Sequence, residues 1–186
     1  MADTHSFVIE RDDEVYRNLT LYSSLNYSEI LKMSNRKNVM VTTSYIGGGI
    51  EDSIDIVRGE NILLNDLVLS SLRGNQTRTF ITVKGGVDGI IIKNINLIGE
   101  TKYPWDISLG DWTIYDVDKN HPPVRNIRIE HISHENGRPI RVLCLHSEVP
   151  EVIGKNVKIL RVPPIFVKIW FGLKRFLSKW LILNHL

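Results

Sequence analysis

Cysteine is nearly absent from this 186-residue chain, and so is any long, uninterrupted apolar run. The single cysteine, Cys144, excludes an internal disulfide framework, and its apolar surroundings in the sequence predict a buried structural thiol. Residues 1–15 are polar and acidic, so we expect no signal peptide. Cations interrupt the most apolar stretch, near the C-terminus, too often for a transmembrane span. These absences leave the cellular location open.

Recognisable metal-binding patterns are missing as well. Asp116 and Asp118 lie in a loop that lacks the glycine turn and closing glutamate of a calcium loop. His131, His134 and His146 have no HExxH spacing and no cysteine partners, which makes a zinc site an unfavourable interpretation. We therefore expect no metal ion and no other cofactor.

What the chain does contain is a repeat of roughly thirty residues between 53 and 162. Each copy has one short alternating strand, a turn, and a second alternating strand. The first strands align on four isoleucines separated by 27, 26 and 33 residues: Ile54, Ile81, Ile107 and Ile140. The second strands are predicted to open on Asn61, Gly89, Asn126 and Asn156.

The content of the repeat predicts an all-β fold. Short strands of period two without an intervening helix exclude helical and leucine-rich repeats, and no propeller signature is present. We therefore predict a right-handed parallel β-helix of about four to five rungs. One rung cannot bury its apolar side alone, so stacking must supply the core. The residues expected to point inward are Ile54, Ile56, Ile81, Val83, Ile107, Leu109, Ile140 and Val142.

Two flanking segments complete the predicted organisation. Residues 1–50 are expected to cap the solenoid, with a short helix at Tyr27–Met33 and a first partial rung at Asn38–Thr42. Residues 51–162 form the β-helix. Residues 163–186 follow a 3.6-residue period after Pro163 and Pro164 and predict an amphipathic α-helix.

The apolar arc of this predicted C-terminal helix is wider than a single buried face requires. Val152 to Leu186 carries seven Lys or Arg and no acids, so the helix combines aromatic and basic sides. Two partners fit: a second copy of the chain, giving a homo-oligomer, or a membrane surface. The predicted contact residues are Phe166, Trp170, Phe171, Leu173, Phe176, Leu177, Trp180 and Leu181. Nucleic acid is not an expected partner, because the cations do not form an interleaved groove.

Four sequence motifs point to a family. They are IEDSIDI at 50–56, RTFITV at 78–83, PWDISLG at 104–110 and NGRPIRVL at 136–143. In order and hydrophobic skeleton they resemble the NTDGIDI, GDDCIAI, GHGISIG and NGIRIK motifs of polygalacturonase-type glycoside hydrolases, in the pectin-lyase-like β-helix superfamily. Asp52 and Arg141 fall on the family's Asp and Arg. Arg78 and Thr79 replace its aspartate pair, Trp105 its His, and Leu143 its Lys.

The resemblance implies a polysaccharide-cleaving activity, but most of the family's catalytic residues are replaced in this sequence. Hydrolysis needs two carboxyl groups flanking the bond, and the carboxyl candidates that remain are Asp52 and Asp106. Arg141 is the candidate base of a β-elimination lyase. Asp106 is two rungs from Asp52, about 10 Å by rung spacing. We therefore expect a non-catalytic β-helix that is structural or assembly-forming and could bind a glycan, by analogy in a viral or cell-surface setting. The alternative is a polysaccharide-degrading hydrolase or lyase with an altered active site.

The outward side of the first strands is the predicted polysaccharide site. Aromatic rings stack on sugar faces, while polar side chains bond the hydroxyls. The alternation places these candidates there or nearby: Asp55, Thr82, Lys84, Trp105, Asp106, Ser108, Trp112 and Arg141. The competing interpretation is a solvated sheet face with incidental aromatics.

Overall fold

The computed structural model describes residues 6–23, 29–48, 50–71, 77–110 and 121–162. These residues form a parallel β-solenoid of about five turns, which confirms the predicted all-β fold class. No helix occurs in the described ranges. The strands are β1 (Phe7–Ile9), β2 (Val15–Arg17), β3 (Thr20–Ser23), β4 (Leu31–Gly48), β5 (Asp52–Ser70), β6 (Thr79–Ile98), β7 (Ile107–Leu109), β8 (Arg125–His134), β9 (Ile140–Cys144), β10 (Glu151–Ile153) and β11 (Val157–Arg161).

Each complete turn has three short faces, because the long strands β4, β5 and β6 bend twice. The first face stacks seven strands in the order β1, β4, β5, β6, β7, β9 and β11, and includes residues 31–34, 54–57, 81–84 and 107–109. The second face stacks 15–17, 39–42, 62–65, 90–93, 127–130 and 151–153. The third face stacks 20–23, 44–47, 67–70, 95–98 and 132–134.

Residues with left-handed backbone conformation form the corners between faces. The register aligns the first corner through Asp13, Asn38, Asn61, Gly89 and Asn126, all with positive φ. The second corner aligns Asn18, Thr43, Asp66, Asn94 and His131, also with positive φ. Asn, Asp and Gly are the residues that adopt this conformation most readily, which explains their recurrence at corners.

The first corner is also held by side-chain hydrogen bonds between turns. Asn38 Nδ2 donates to Asp13 Oδ1 at 2.7 Å, and Asn61 Nδ2 donates to Asn38 Oδ1 at 3.0 Å. The prediction that Asn61, Gly89 and Asn126 open second strands is therefore confirmed. For Asn156 it is wrong, since this residue precedes β11 in the first-face stack.

The core lies inside the three faces and consists of stacked aliphatic side chains. Every residue predicted to point inward from the first face is at least 99% buried. Leu31, Ile54, Ile81 and Ile107 are direct register partners in successive turns. Burying each such side chain contributes about 1.5–3 kcal/mol, so the stack provides most of the favourable free energy.

The fourth predicted repeat is out of register by two residues. Ile107 pairs with Val142, whereas Ile140 pairs with Val157 of the next strand. A shift by two keeps every side chain on its original face, so the inward pattern alone cannot distinguish Ile140 from Val142.

The N-terminal region is more regular than predicted. Leu31–Met33 belongs to β4, not to a helix: Leu31 and Met33 are buried inward and Lys32 points outward. The strands β1, β2 and β3 all pair with β4, so residues 7–23 contribute a turn before it. Tyr27 and Ser28, which begin the predicted helix, lie outside the described residues. Trp112 and the predicted C-terminal helix also lie outside them.

Candidate functional site

A cluster of buried polar side chains lies on the outer side of the first face. It includes several predicted glycan-binding residues, and the structure brings them together on consecutive turns: Ser53, Asp55, Thr82, Asp106 and Ser108. At least 95% of the surface of each is buried. The alternation placed these residues on the outer side of the first-face strands, as the structure does, but it did not predict that they would be shielded from water. Shielded carboxylates need partners, and the partners define what this cluster can do.

Asp52 is clamped by an arginine from the next turn. The Arg78 Nε and Nη2 atoms donate to Oδ1 and Oδ2 of Asp52 at 3.1 and 2.7 Å. Thr79 Oγ1 donates to Oδ1 at 2.7 Å. Two parallel N–H···O bonds from a guanidinium form the strong bidentate geometry. Asp52 is therefore part of an ion pair between consecutive turns.

Asp106 is clamped in the same manner. Arg138 Nη1 and Nη2 donate to its two carboxylate oxygens at 2.8 and 2.7 Å. The backbone N–H of Arg141 adds a bond of 2.9 Å, and Arg141 Nε lies 3.5 Å from Oδ2. Burial by itself would raise the pKa of the Asp106 carboxyl, but the bonds and charges from these two arginines outweigh it and lower the pKa. Asp106 is therefore held ionised.

Asp55 behaves differently, because its cations are lysines and its burial dominates. Lys84 Nζ lies 3.0 Å from Oδ1, and Lys32 Nζ lies 3.8 Å from Oδ2. Burial raises the pKa of Asp55 to about 6, and the charge of Lys84 opposes this rise without cancelling it. Asp55 can consequently gain or lose a proton near neutral pH.

The remaining predicted site residues are divided between two environments. Arg141 belongs to the Asp106 clamp, and Lys84 belongs to the Asp55 pair. Trp105 stacks on Tyr103, with ring centroids 5.1 Å apart and planes inclined by 28°. Trp105 also packs against the apolar pair Leu143 and Leu145. It therefore lies beside a small apolar cluster rather than among the polar side chains.

Two exposed tyrosines on the third face were missed by the sequence interpretation. Tyr22 and Tyr45 project outward from adjacent turns, with 44% and 36% of their surfaces exposed. The hydroxyl end of the Tyr45 ring lies beside Gly47, where a Cβ atom would be only 2.7–2.9 Å from the ring and its hydroxyl. The signal in the sequence is Tyr-x-Gly in an alternating strand, because a glycine two positions along leaves room for the end of the tyrosine side chain.

Other kinds of site find no support in the described part of the chain. It contains no group of three or more His, Cys, Asp or Glu side chains placed to hold a metal ion. Nor does that part include a helix long and apolar enough to cross a membrane. Cys144 is a free thiol whose pKa is raised by burial, in agreement with the predicted structural role.

Comparisons with protein-family models, curated proteins and solved structures find no match to this chain. The parallel β-solenoid is therefore the level of classification that the structure supports.

Proposed function

We propose that this chain is a non-catalytic parallel β-solenoid, a structural and assembly-forming module that binds a glycan on an outer face. The observation that carries this proposal is the pair of arginine clamps on Asp52 and Asp106. A glycosidase needs one carboxyl that donates a proton and a second that acts as base or nucleophile. A carboxylate held by a bidentate guanidinium is poorly suited to either role.

The clamps have a structural explanation of their own. Arg78 joins the turn containing β6 to the turn containing β5, and Arg138 joins the turn after β8 to Asp106. Each pair pins the start of a first-face strand to the next turn. An arginine is the appropriate cation, because its fork matches both carboxylate oxygens at once.

We further propose a distant relationship to the pectin-lyase-like superfamily. Its support is the order of the four motifs, with Asp52 and Arg141 on matching positions, together with the parallel β-solenoid topology. In this interpretation Arg78 and Thr79 took over the positions where a hydrolase has its aspartate pair.

The assembly role is supported by an apolar stripe on the second face. Val15, Met40, Leu63 and Ile91 are register partners that point outward on four consecutive turns. Val15 and Ile91 are among the most exposed large apolar side chains of the described residues. Stripes of this kind mark contact surfaces, and a second copy of the chain is the partner we propose.

One observation favours the alternative, an altered polysaccharide-degrading enzyme. Asp55 has a pKa of about 6, which suits a proton donor near neutral pH. Against this, the side chain is 99% buried and both of its oxygens face lysines. A general acid must come within hydrogen-bond reach of the leaving oxygen, and this burial works against such contact.

A reducing-end release assay tests the non-catalytic proposal. Purified protein is incubated with polygalacturonate, xylan and laminarin at pH 5 to 8, beside the variants Asp55→Asn and Asp52→Asn. We expect no release above a heat-inactivated control for any protein. Release by the wild type that is abolished in either variant would establish the enzyme and reject the proposal.

Light-scattering mass measurement after size exclusion tests the assembly role. We expect the wild type to form a defined oligomer and Ile91→Lys to reduce its mass. Ser133→Lys, exposed on the third face, is the matched control and should leave the mass unchanged. A wild type that stays monomeric at high concentration contradicts this part of the proposal.

A further inference from the structure

We propose that Tyr22 and Tyr45 form a stacking platform for a neutral sugar on the third face of the solenoid. This inference rests on the proposed glycan-binding function and moves the binding site from the buried first face to an exposed one. The platform consists of these two rings, with Gly47 beside the hydroxyl end of the Tyr45 ring.

The orientation of the Tyr45 ring is set by Gly47. A Cβ atom at Gly47 would approach the Oη, Cε1 and Cζ atoms of Tyr45 to 2.7, 2.8 and 2.9 Å. The hydroxyl end of the ring therefore occupies the space that a side chain at residue 47 would take. The Tyr45 side chain nevertheless keeps 36% of its surface exposed. A ring in this arrangement is already ordered before a ligand arrives, which lowers the entropy cost of binding.

Tyr22 extends the platform to the adjacent turn. Leu21 pairs with the buried Ile46, so its neighbour Tyr22 must point outward. Tyr22 is the register partner of Gly47, the residue beside which the hydroxyl end of Tyr45 lies. Adjacent turns are about 4.8 Å apart, so the two tyrosines lie side by side on one surface.

The chemistry of this surface fits a neutral carbohydrate. The face of an aromatic ring is negative and attracts the weakly positive C–H groups that line one side of a pyranose. The outward row through Tyr45 has polar, uncharged side chains at Thr20, Asn96 and Ser133, with the apolar Val68 between Tyr45 and Asn96. Hydroxyl and amide groups of this kind bond sugar hydroxyls. No charged residue occupies the row, so an acidic polysaccharide gains nothing there.

The direction of the row predicts how the ligand lies. Register partners stack along the solenoid axis, so Tyr45, Val68, Asn96 and Ser133 define a straight path across four turns. Asn96 and Ser133 are already linked by a hydrogen bond of 3.2 Å, which orients the amide. We infer that one sugar of an oligosaccharide stacks on the tyrosines while the following sugars extend towards Asn96.

Affinity electrophoresis provides the test, with laminarin, dextran, xylan or polygalacturonate copolymerised into native gels. We expect at least one neutral polysaccharide to retard the wild type. Tyr45→Ala and Tyr22→Ala should each weaken this binding about tenfold, a loss of one stacked ring. Tyr45→Phe keeps the ring and should retain binding within about threefold.

Gly47→Ala is the sharpest variant, because it displaces the platform without removing an aromatic group. The atoms that the new methyl group meets belong to the far end of the Tyr45 side chain, so the ring can move while the backbone remains. We expect an unchanged thermal midpoint and a loss of binding similar to that of Tyr45→Ala. Leu160→Ala, exposed on β11, should bind as the wild type does.

The outcomes separate the platform from the proposed function. Binding of a neutral polysaccharide that survives Tyr45→Ala, Tyr22→Ala and Gly47→Ala overturns the platform and leaves glycan binding intact. Binding to polygalacturonate alone overturns it too, since the row has no charge. A wild type that binds none of the four polysaccharides overturns both the platform and the glycan-binding role. Release of reducing ends contradicts only the non-catalytic proposal.

Discussion

The raised pKa of Asp55 predicts an unusual pH dependence of stability that Asp55→Asn should remove. The folded-state pKa is about 6, against an ordinary value of 3.8. The folded chain therefore binds the Asp55 proton more tightly than the unfolded chain does. By linkage, the free energy of unfolding falls as the pH rises from about 4 to about 6. Ionised Asp55 thus opposes folding above that window.

The magnitude follows from the size of the shift. A shift of about two pKa units corresponds to about 3 kcal/mol, and the side chain is too deeply buried for solvent to screen this appreciably. Asparagine has nearly the same shape but does not titrate. The stability of Asp55→Asn minus that of the wild type should therefore increase by about 3 kcal/mol between pH 3.5 and pH 7.5.

Urea denaturation followed by tryptophan fluorescence at several pH values measures this difference. Lys84, Lys32, Glu29 and Asp52 surround Asp55 and remain in both proteins, so their own titration largely cancels. Thr82→Val is the control, because it alters a buried neighbour without a titrating group and should give a constant difference. A difference for Asp55→Asn that is flat with pH, or that shrinks as the pH rises, would refute the reasoning.

Three further predictions concern the architecture. Arg78→Met leaves a buried carboxylate without its guanidinium and should lower the free energy of unfolding by about 3–5 kcal/mol in urea titrations, whereas the exposed Arg125→Met should cost little. Ile107→Asp buries an unpaired carboxylate at a cost of several kcal/mol and should abolish soluble expression. The control Ile91→Asp changes an outward-facing residue and should stay soluble. Soluble expression of Ile107→Asp would contradict the inward orientation of Ile107. Removing residues 163–186 should change the assembled mass or the solubility, measured by sedimentation with and without anionic liposomes. A full-length chain that is a monodisperse monomer and ignores liposomes contradicts both partners predicted for this segment.

The fold was largely predictable because the strands repeat a simple alternation. The inward positions of Ile54, Ile81 and Ile107 follow from period two, and the corner role of Asn61 follows from its tolerance of left-handed backbone. The helix predicted at Tyr27–Met33 was wrong at its C-terminal end. A short apolar run fits a helical turn and a strand equally well until its partner strand is known.

The site was less predictable, because its interactions cross between turns. Asp52 and Arg78 are 26 residues apart and meet only once the length of the turn is fixed. Spacing alone could therefore identify Asp52 as a candidate acid without revealing that its oxygens are occupied. The burial of Thr82 and Ser108 was hidden for a related reason, since alternation assigns a side chain to a face but does not tell what covers that face.

The two left-handed corners fix the number of residues between them in each turn. The first and second corners are five positions apart in every complete turn: 13 to 18, 38 to 43, 61 to 66, 89 to 94 and 126 to 131. A one-codon insertion or deletion within this interval would rotate the following side chains to the wrong face. The path from the first face to the first corner is not so constrained: it runs from 57 to 61 and from 84 to 89 in two turns, but from 109 to 126 in a third. Length variation among homologues should therefore accumulate along this edge of the solenoid.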